Sequence, residues 1–462
     1  MFGMKTPTKQ GLRIILVGCG KVGRTLIEQL SKEGHDITII DKSAQKIQDI
    51  TNQFDVMGIC GNGASFSVQR EAGIEDADLI IAVTESDELN LLCCTVAKQV
   101  TNCAAIARVR TPDYNDDINY LREKLGLALV INPELESAKE IARILYLPAA
   151  LEVNSFAHGQ AELVKFKIPQ DNLLDGMYLS DIRNKLVYGI LICAVERNGE
   201  VYIPSGNFQL FSGDIISFVG IRNHTKAFLE AIGFNTKQVK NCMIIGGGKA
   251  SFYLAEQLLH AGISTKIIES SLSRCEELSN LLPNAIIING DGTDEELLKE
   301  EGLAEAEAFV PLTGIDEENI MLTLYAKQVS RAKAITKINR ITFNSVINQL
   351  DLGSVIYPKY ITSEAIIAYV RAKKASKDRN IETLYHMFDS KVEAIEFIVD
   401  EESKATNIPL KDLKLKDHLL ISFICRNGKV FIPGGNDCIQ FGDNVMIVTT
   451  HTGFNDLTDI LA

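Results

Sequence analysis

Between residues 13 and 109, short apolar runs alternate with stretches whose apolar positions recur every three or four residues. The runs RIILVG, HDITIID, FDVMGIC, ADLIIAVT and AAIARV have the length and continuity of strands buried on both faces, and residues 24–33 and 90–100 carry the helical period. Strand and helix in strict alternation predict a parallel sheet with crossover helices. Beyond residue 150 the pattern changes. GILICAVER and IISFVG alternate like half-buried strands, and Ile203, Pro204, Ser205 and Gly206 supply a turn between them. This part reads as a small α+β module.

The same succession then occurs a second time. IILVGCGKVGRTLIEQL, from Ile14, matches CMIIGGGKASFYLAEQL, from Cys242, with Gly18 on Gly246 and Asp41 on Glu269 at an offset of 228. Gly61 falls on Gly290 and Lys98 on Lys327 at 229, so one residue is inserted between the two sets. NGEVYIPSGNFQLFSGD, from Asn198, matches NGKVFIPGGNDCIQFGD, from Asn427, again at 229. The chain is a tandem duplication. Polar or proline-containing breaks near 147–150, 235–240 and 373–380 divide it into four parts, 11–148, 149–234, 240–372 and 380–462.

The duplicated turn carries the candidate chemistry. Gly18, Gly20 and Gly23 form a GxGxxG between the first strand and its helix: one glycine for the tight turn, one for close approach of a pyrophosphate, one for helix–strand packing. Cys19, Lys21 and Val22, interleaved with them, belong to the same expected contact surface. Asp41 ends the next strand 18 residues beyond Gly23, near the spacing at which a carboxylate meets ribose hydroxyls. A carboxylate there favours NAD or another adenosine nucleotide over NADP, and Lys42 beside it moderates that preference. Asn62 and Gly63, after the third strand, are expected near the adenine, Thr84 at the end of the fourth strand, and Arg108 and Arg110 after the fifth, where a guanidinium reaches a terminal phosphate. Asp87 and Asn90 are expected to be caps and first-turn residues of the next helix rather than ligands. In the second half Gly246, Gly248 and Lys249 keep the turn, Ser251 replaces its third glycine, Glu269 stands for Asp41, and Asp291 adds an acidic group where Asn62 stood.

Composition narrows the function. Of 462 residues, 60 are acidic and 47 basic, a formal charge of −13, so no overall field draws in nucleic acid. No apolar run approaches the ~20 residues of a membrane span, and residues 1–10 lack the pattern of a signal peptide. Ten scattered cysteines with no CxxC pair suit a reducing compartment. The seven histidines fall in no metal-ligand spacing, and neither a GxSxG elbow nor a Walker lysine occurs. These features favour a nucleotide binder over an enzyme. An NAD-dependent oxidoreductase and a nucleotide sensor of some other transporter are the alternatives.

With the glycine turn, GNGAS at 61–65, AGIEDADLIIAVTESDELN at 72–90, ARVRTPDY at 107–114 and the IPSGN and IPGGN segments in place, the chain resembles the regulators of potassium conductance over nearly its whole length. It departs from that pattern at Asn62, where Asp is common, and at Ser251. The resemblance implies two Rossmann-like RCK-N domains, each followed by an α+β RCK-C module. It implies NAD(H) and/or ATP/ADP as ligands, and dimers assembling into a tetrameric ring. It further implies that the ring lies in the cytoplasm, peripheral to the inner face of the membrane, on a membrane-embedded Trk-type potassium channel subunit.

Overall fold

The computed structural model describes residues 11–115, 118–185, 189–339, 347, 349–374, 381–388 and 390–462. Strands β1 (Arg13–Val17), β2 (Asp36–Asp41), β3 (Met57–Cys60), β4 (Leu79–Ala82), β5 (Ala104–Arg108) and β6 (Leu129–Ile131) form a parallel sheet in the order β3-β2-β1-β4-β5-β6. This is the doubly wound order in which the chain reverses between β1 and β4, leaving a crevice beyond their carboxyl ends. Ile14, Ile15, Leu16 and Val17 of β1 are all buried, as a central strand covered on both faces requires. The crossover helix α1 (Lys21–Lys32) buries Val22, Gly23, Leu26, Ile27 and Leu30 against it, a stripe at helical spacing. Helix α2 (Asp87–Val100) packs Cys93, Cys94 and Ala97 into a core with Ile15 and Val17 of β1, Ile80 and Ala82 of β4 and Ala105 and Ala107 of β5.

A first antiparallel sheet follows, with β7 (Glu152–Phe156), β8 (Ala161–Lys167), β9 (Ile190–Arg197), β10 (Glu200–Tyr202) and β11 (Ile215–Ile221) in the order β10-β9-β11-β8-β7. The β9–β10 turn is Asn198-Gly199, with φ of 55° and 82°, the left-handed pair that a two-residue hairpin needs. Arg197 clamps the module by a bidentate bond to Asp214, both contacts 2.7 Å.

The second half repeats the plan. β12 (Asn241–Ile245), β13 (Ser264–Glu269), β14 (Ile286–Asn289), β15 (Ala308–Pro311), β16 (Lys333–Lys337) and β17 (Ser354–Ile356) run in the order β14-β13-β12-β15-β16-β17. β18 (Ile381–Met387), β19 (Val392–Ile398), β20 (Leu419–Arg426), β21 (Lys429–Phe431) and β22 (Asn444–Thr449) run as β18-β19-β22-β20-β21, the first module's order strand for strand. Asn427-Gly428 turns at φ of 51° and 71°, and Arg426 clamps Asp443 at 2.8 Å twice. The expected linker at 373–380 falls largely outside the described residues.

Among the described residues, the two halves differ after the last strand of each small module. After β11 comes helix α4 (Arg222–Ala231), whereas after β22 residues 450–455 form no helix. The two small modules also share one core: Phe156, Leu163, Ala194 and Val219 of the first pack with Met387, Val392, Phe423 and Met446 of the second. The main-chain N–H of Ala157 donates to the buried Glu396 carboxylate at 3.0 Å. By density of contacts the chain divides into two compact units, the residues up to Glu136 with Tyr357–Ile367, and Ser137–Ile356 with Ala368–Ala462.

Candidate nucleotide-binding sites

The first site is built where β1 turns into α1. Gly18 has φ of +106° and donates its N–H to the Ile40 carbonyl at 2.9 Å; a side chain there would be both strained and 3.0 Å from the Thr84 nitrogen. Gly20 begins α1 without any side-chain cap, no acidic residue stands in the first turn, and the space in front of it is open. The N–H groups of a helix's first turn have no intrahelical partners, so this end can receive an anion. A Cβ on Gly23 would lie 2.0 Å from the Gly18 carbonyl oxygen, so the third glycine is fixed by helix–turn packing. Lys21 is exposed at the mouth, and Val22 is buried beneath it.

Asp41, the last residue of β2, has both oxygens engaged. Oδ2 accepts from the Cys19 N–H at 2.7 Å and Oδ1 from the Ser43 N–H at 2.9 Å. The carboxylate is therefore held in one orientation, and each oxygen keeps a further lone pair for a ribose hydroxyl. The Cys19 amide is committed to Asp41, so Cys19 shapes the turn rather than offering its N–H to a phosphate. Its thiol is pushed up to about 12, first by burial and then by the Asp41 charge, and stays protonated. Lys42 is exposed beside Asp41.

The remaining expected residues converge on the carboxyl ends of the strands. Asn62 is exposed and folds its Oδ1 back onto the Ala64 N–H at 3.2 Å, a local turn. Gly63 is buried under β1, where a Cβ would meet Val17 at 2.2 Å, and Gln69 holds this loop by donating to the Gly63 carbonyl at 2.7 Å. Thr84 is not free: its N–H and hydroxyl both donate to Asn90 Oδ1, at 2.8 and 2.7 Å. Arg108, at the end of β5, is mostly buried and reaches Glu134 at 3.3 Å, while its Nε has no partner. Burial lowers its pKa, opposed by the nearby Glu134 charge.

Asp87 and Asn90 stand in the first turn of α2 and do not cap it. Ser86 supplies the cap of α2, accepting from the Leu89 N–H at 3.1 Å. Asp87 instead accepts from the N–H groups of Arg110 and Thr111 and from the Thr111 hydroxyl, at 2.9, 2.8 and 2.7 Å, and so fixes the segment after β5. Asn90, fully buried, also donates to the Arg108 carbonyl at 2.9 Å and ties the ends of β4 and β5 together. Arg110 pairs with Asp87 at 3.3 Å. The repeat carried the signal for these roles, since Asp316 and Asn319 stand 229 residues on and make the matching bonds to Asn339 and to Thr313 and Lys337.

The second site keeps this frame. Gly246 has φ of +93° and donates to the Ile268 carbonyl at 2.8 Å, and Gly248 opens helix α5 (Lys249–His260) with open space before it. Glu269 spans the same two positions as Asp41, accepting from Gly247 at 2.6 Å and Ser271 at 2.7 Å. The differences lie around it. Ser251 is fully buried with its hydroxyl unpartnered. Arg274 donates Nε to the Gly247 carbonyl at 2.7 Å. Asp291 is exposed and folds onto the Thr293 N–H and hydroxyl, at 2.9 and 2.8 Å, bonds that hold its carboxyl below the usual range. Lys249 is half-buried at the start of α5.

Fold and sites together define a class: a tandem of two dinucleotide-type domains, each coupled to a small antiparallel module. TrkA-N domain models match residues 14–133 and 242–358, and TrkA-C domain models match 163–233 and 394–462. The chain belongs to the TrkA family. It is 32% identical over 443 residues to the Trk system potassium uptake protein TrkA of Haemophilus influenzae, covering 94% of this chain and 95% of that one. Among solved structures it resembles the GsuK channel bound to NAD, with a TM-score of 0.63 at 16% identity over 96% of this chain and 78% of that one. It also resembles GsuK bound to ADP, with a TM-score of 0.50 at 16% identity over 80% and 72% of the two chains.

Proposed function

We propose that this chain is the nucleotide-controlled regulatory subunit of a Trk-type potassium uptake channel. It acts in the cytoplasm at the inner face of the membrane and assembles from dimers into a tetrameric ring. The observation that carries the reading is the twice-built turn: an uncapped helix N-terminus beside a carboxylate held by two main-chain N–H groups, at Gly20 with Asp41 and at Gly248 with Glu269. Its ligands are NAD(H) and/or ATP/ADP, in keeping with GsuK, which is bound to NAD in one relative structure and to ADP in another. No helix among the described residues is long and apolar enough to cross a membrane, which fits a peripheral subunit.

Nucleotide binding regulates only through a difference in affinity between two shapes of the ring, typically ~1–3 kcal/mol. Arg108 is the group we assign to telling a terminal phosphate from a dinucleotide. A phosphate would draw its guanidinium from Glu134, a contact of 3.3 Å, and satisfy its orphaned Nε. The test is potassium flux in vesicles holding the channel subunit and this chain, compared among NAD, NADH, ADP and ATP. Flux should depend on the nucleotide, and Arg108→Ala should assemble normally while flattening that dependence. Flux indifferent to every nucleotide defeats the regulatory reading; a variant that discriminates like the wild type removes Arg108 from the role.

A further inference from the structure

A cavity of about 1040 Å³ lies outside both glycine turns, where the first small module, the 235–240 linker and α5 come together. Helix α3 (Pro133–Tyr146) contributes Arg143, α4 contributes Lys226, the linker contributes Lys237 and Lys240, and α5 contributes His260 at its last residue. Against Arg143 and the three lysines the wall holds one carboxylate, Glu162. That balance opposes the chain as a whole, in which acids outnumber bases 60 to 47.

Arg143 is half-buried, and neither it, Lys237 nor Lys240 makes a side-chain ion pair with any described residue. Lys226 has only a 4.0 Å contact to Glu230. Like charges gathered in a concavity repel one another, and low-dielectric walls focus their field on whatever enters. The cavity is not inherited from the duplication. Setting Pro133 on Pro358 places Ala368 where Arg143 stands, and the second module has no helix equivalent to α4. The cations therefore belong to the one junction where a small module leads into a second dinucleotide-type domain.

We infer that this cavity binds a small molecule carrying two or more phosphate groups. Phosphate matches the inventory: Arg143 offers a guanidinium fork, and the lysines offer mobile point charges at the rim. The volume suits a ligand of nucleotide size. A bound polyanion would bridge α3, α4, the linker and α5, and would fix the junction between the modules. The inference does not depend on nucleotides occupying the glycine turns.

The test titrates the full chain with sodium tripolyphosphate and separately with ATP, at low ionic strength, with sodium sulfate of matched ionic strength as control. Arg143→Gln/Lys240→Gln should weaken one tripolyphosphate site per chain by about tenfold or more, the loss expected when charge-assisted contacts go. Its thermal unfolding should match the wild type. Loss of one ATP site in the same variant would assign the ligand to nucleotide phosphates, and retention of all ATP sites would assign it to free polyphosphates. Unchanged tripolyphosphate affinity and stoichiometry in the variant, or no binding by the wild type beyond that of sulfate, would overturn the assignment. Should Arg143→Gln/Lys240→Gln fail to fold, Lys237→Gln/Lys240→Gln alters exposed linker positions alone and carries the same expectations.

Discussion

At the scale of single residues, carboxylates organise both the candidate sites and the strand ends around them. Asp41 orients a turn and presents lone pairs from the same two oxygens. Asp41→Ala should weaken adenosine-nucleotide binding at the first site by about tenfold, in line with ~1.5 kcal/mol for hydrogen bonds to a charged group, while the protein stays folded. Calorimetric titration checks it, and unchanged affinity would exclude Asp41 as the ribose acceptor. Asp87 makes a different prediction. Burial pushes its carboxyl up, but the Thr111 hydroxyl and the Arg110 and Thr111 N–H groups outweigh burial and lower it overall. A carboxyl lowered on folding stabilises the protein above its unfolded pKa and loses that stabilisation as pH falls through the folded value. Asp87→Asn should therefore cost about 1–3 kcal/mol at neutral pH and make stability less steep on the acid side, read from denaturant midpoints across pH. Parallel acid profiles for the variant and the wild type would refute this.

At the scale of elements, the paired glycine turns differ in how closely helix meets strand. Gly23 leaves no room for a Cβ against the Gly18 carbonyl, whereas Ser251 is accommodated at the matching place with a buried, unpartnered hydroxyl. Gly23→Ala should thus destabilise by about 1–3 kcal/mol through overpacking. Ser251→Gly should be far milder, trading a lost contact for relief of an unsatisfied polar group against added chain entropy. Thermal unfolding of the two variants gives the comparison; equal costs would mean the two turns are packed alike. The inserted residue between Asp41 and Gly61 has a visible counterpart: the helix after β2 spans Ala44–Thr51 and that after β13 spans Leu272–Leu281. Register is restored beyond it, because Gly61 and Gly290 donate to the Asp41 and Glu269 carbonyls at 2.9 and 3.0 Å.

At the scale of the whole molecule, the two small modules complete one core between them, so the halves of the duplication are not independent. Residues 11–234 and 235–462, produced separately, should each expose the face holding Phe156 and Val219 or Phe423 and Met446, and should associate when mixed. Size-exclusion chromatography of the halves alone and together tests this, and two stable monomers that ignore each other would contradict it. Alternation of buried runs with helical periods, the offset of 228 to 229 and the glycine–carboxylate spacing were all legible in the sequence. Each depends on contacts within about 30 residues or on a comparison of the chain with itself. Tertiary structure alone decided that Asn90 joins two strand ends, that the Cys19 amide is spent on Asp41, and that Arg108 is buried against Glu134. It alone decided that Arg143 and Lys240, 97 positions apart, face one cavity. These outcomes depend on which groups long-range packing brings within hydrogen-bond reach, and a polar residue's type and neighbours in sequence carry no record of its partner across the fold.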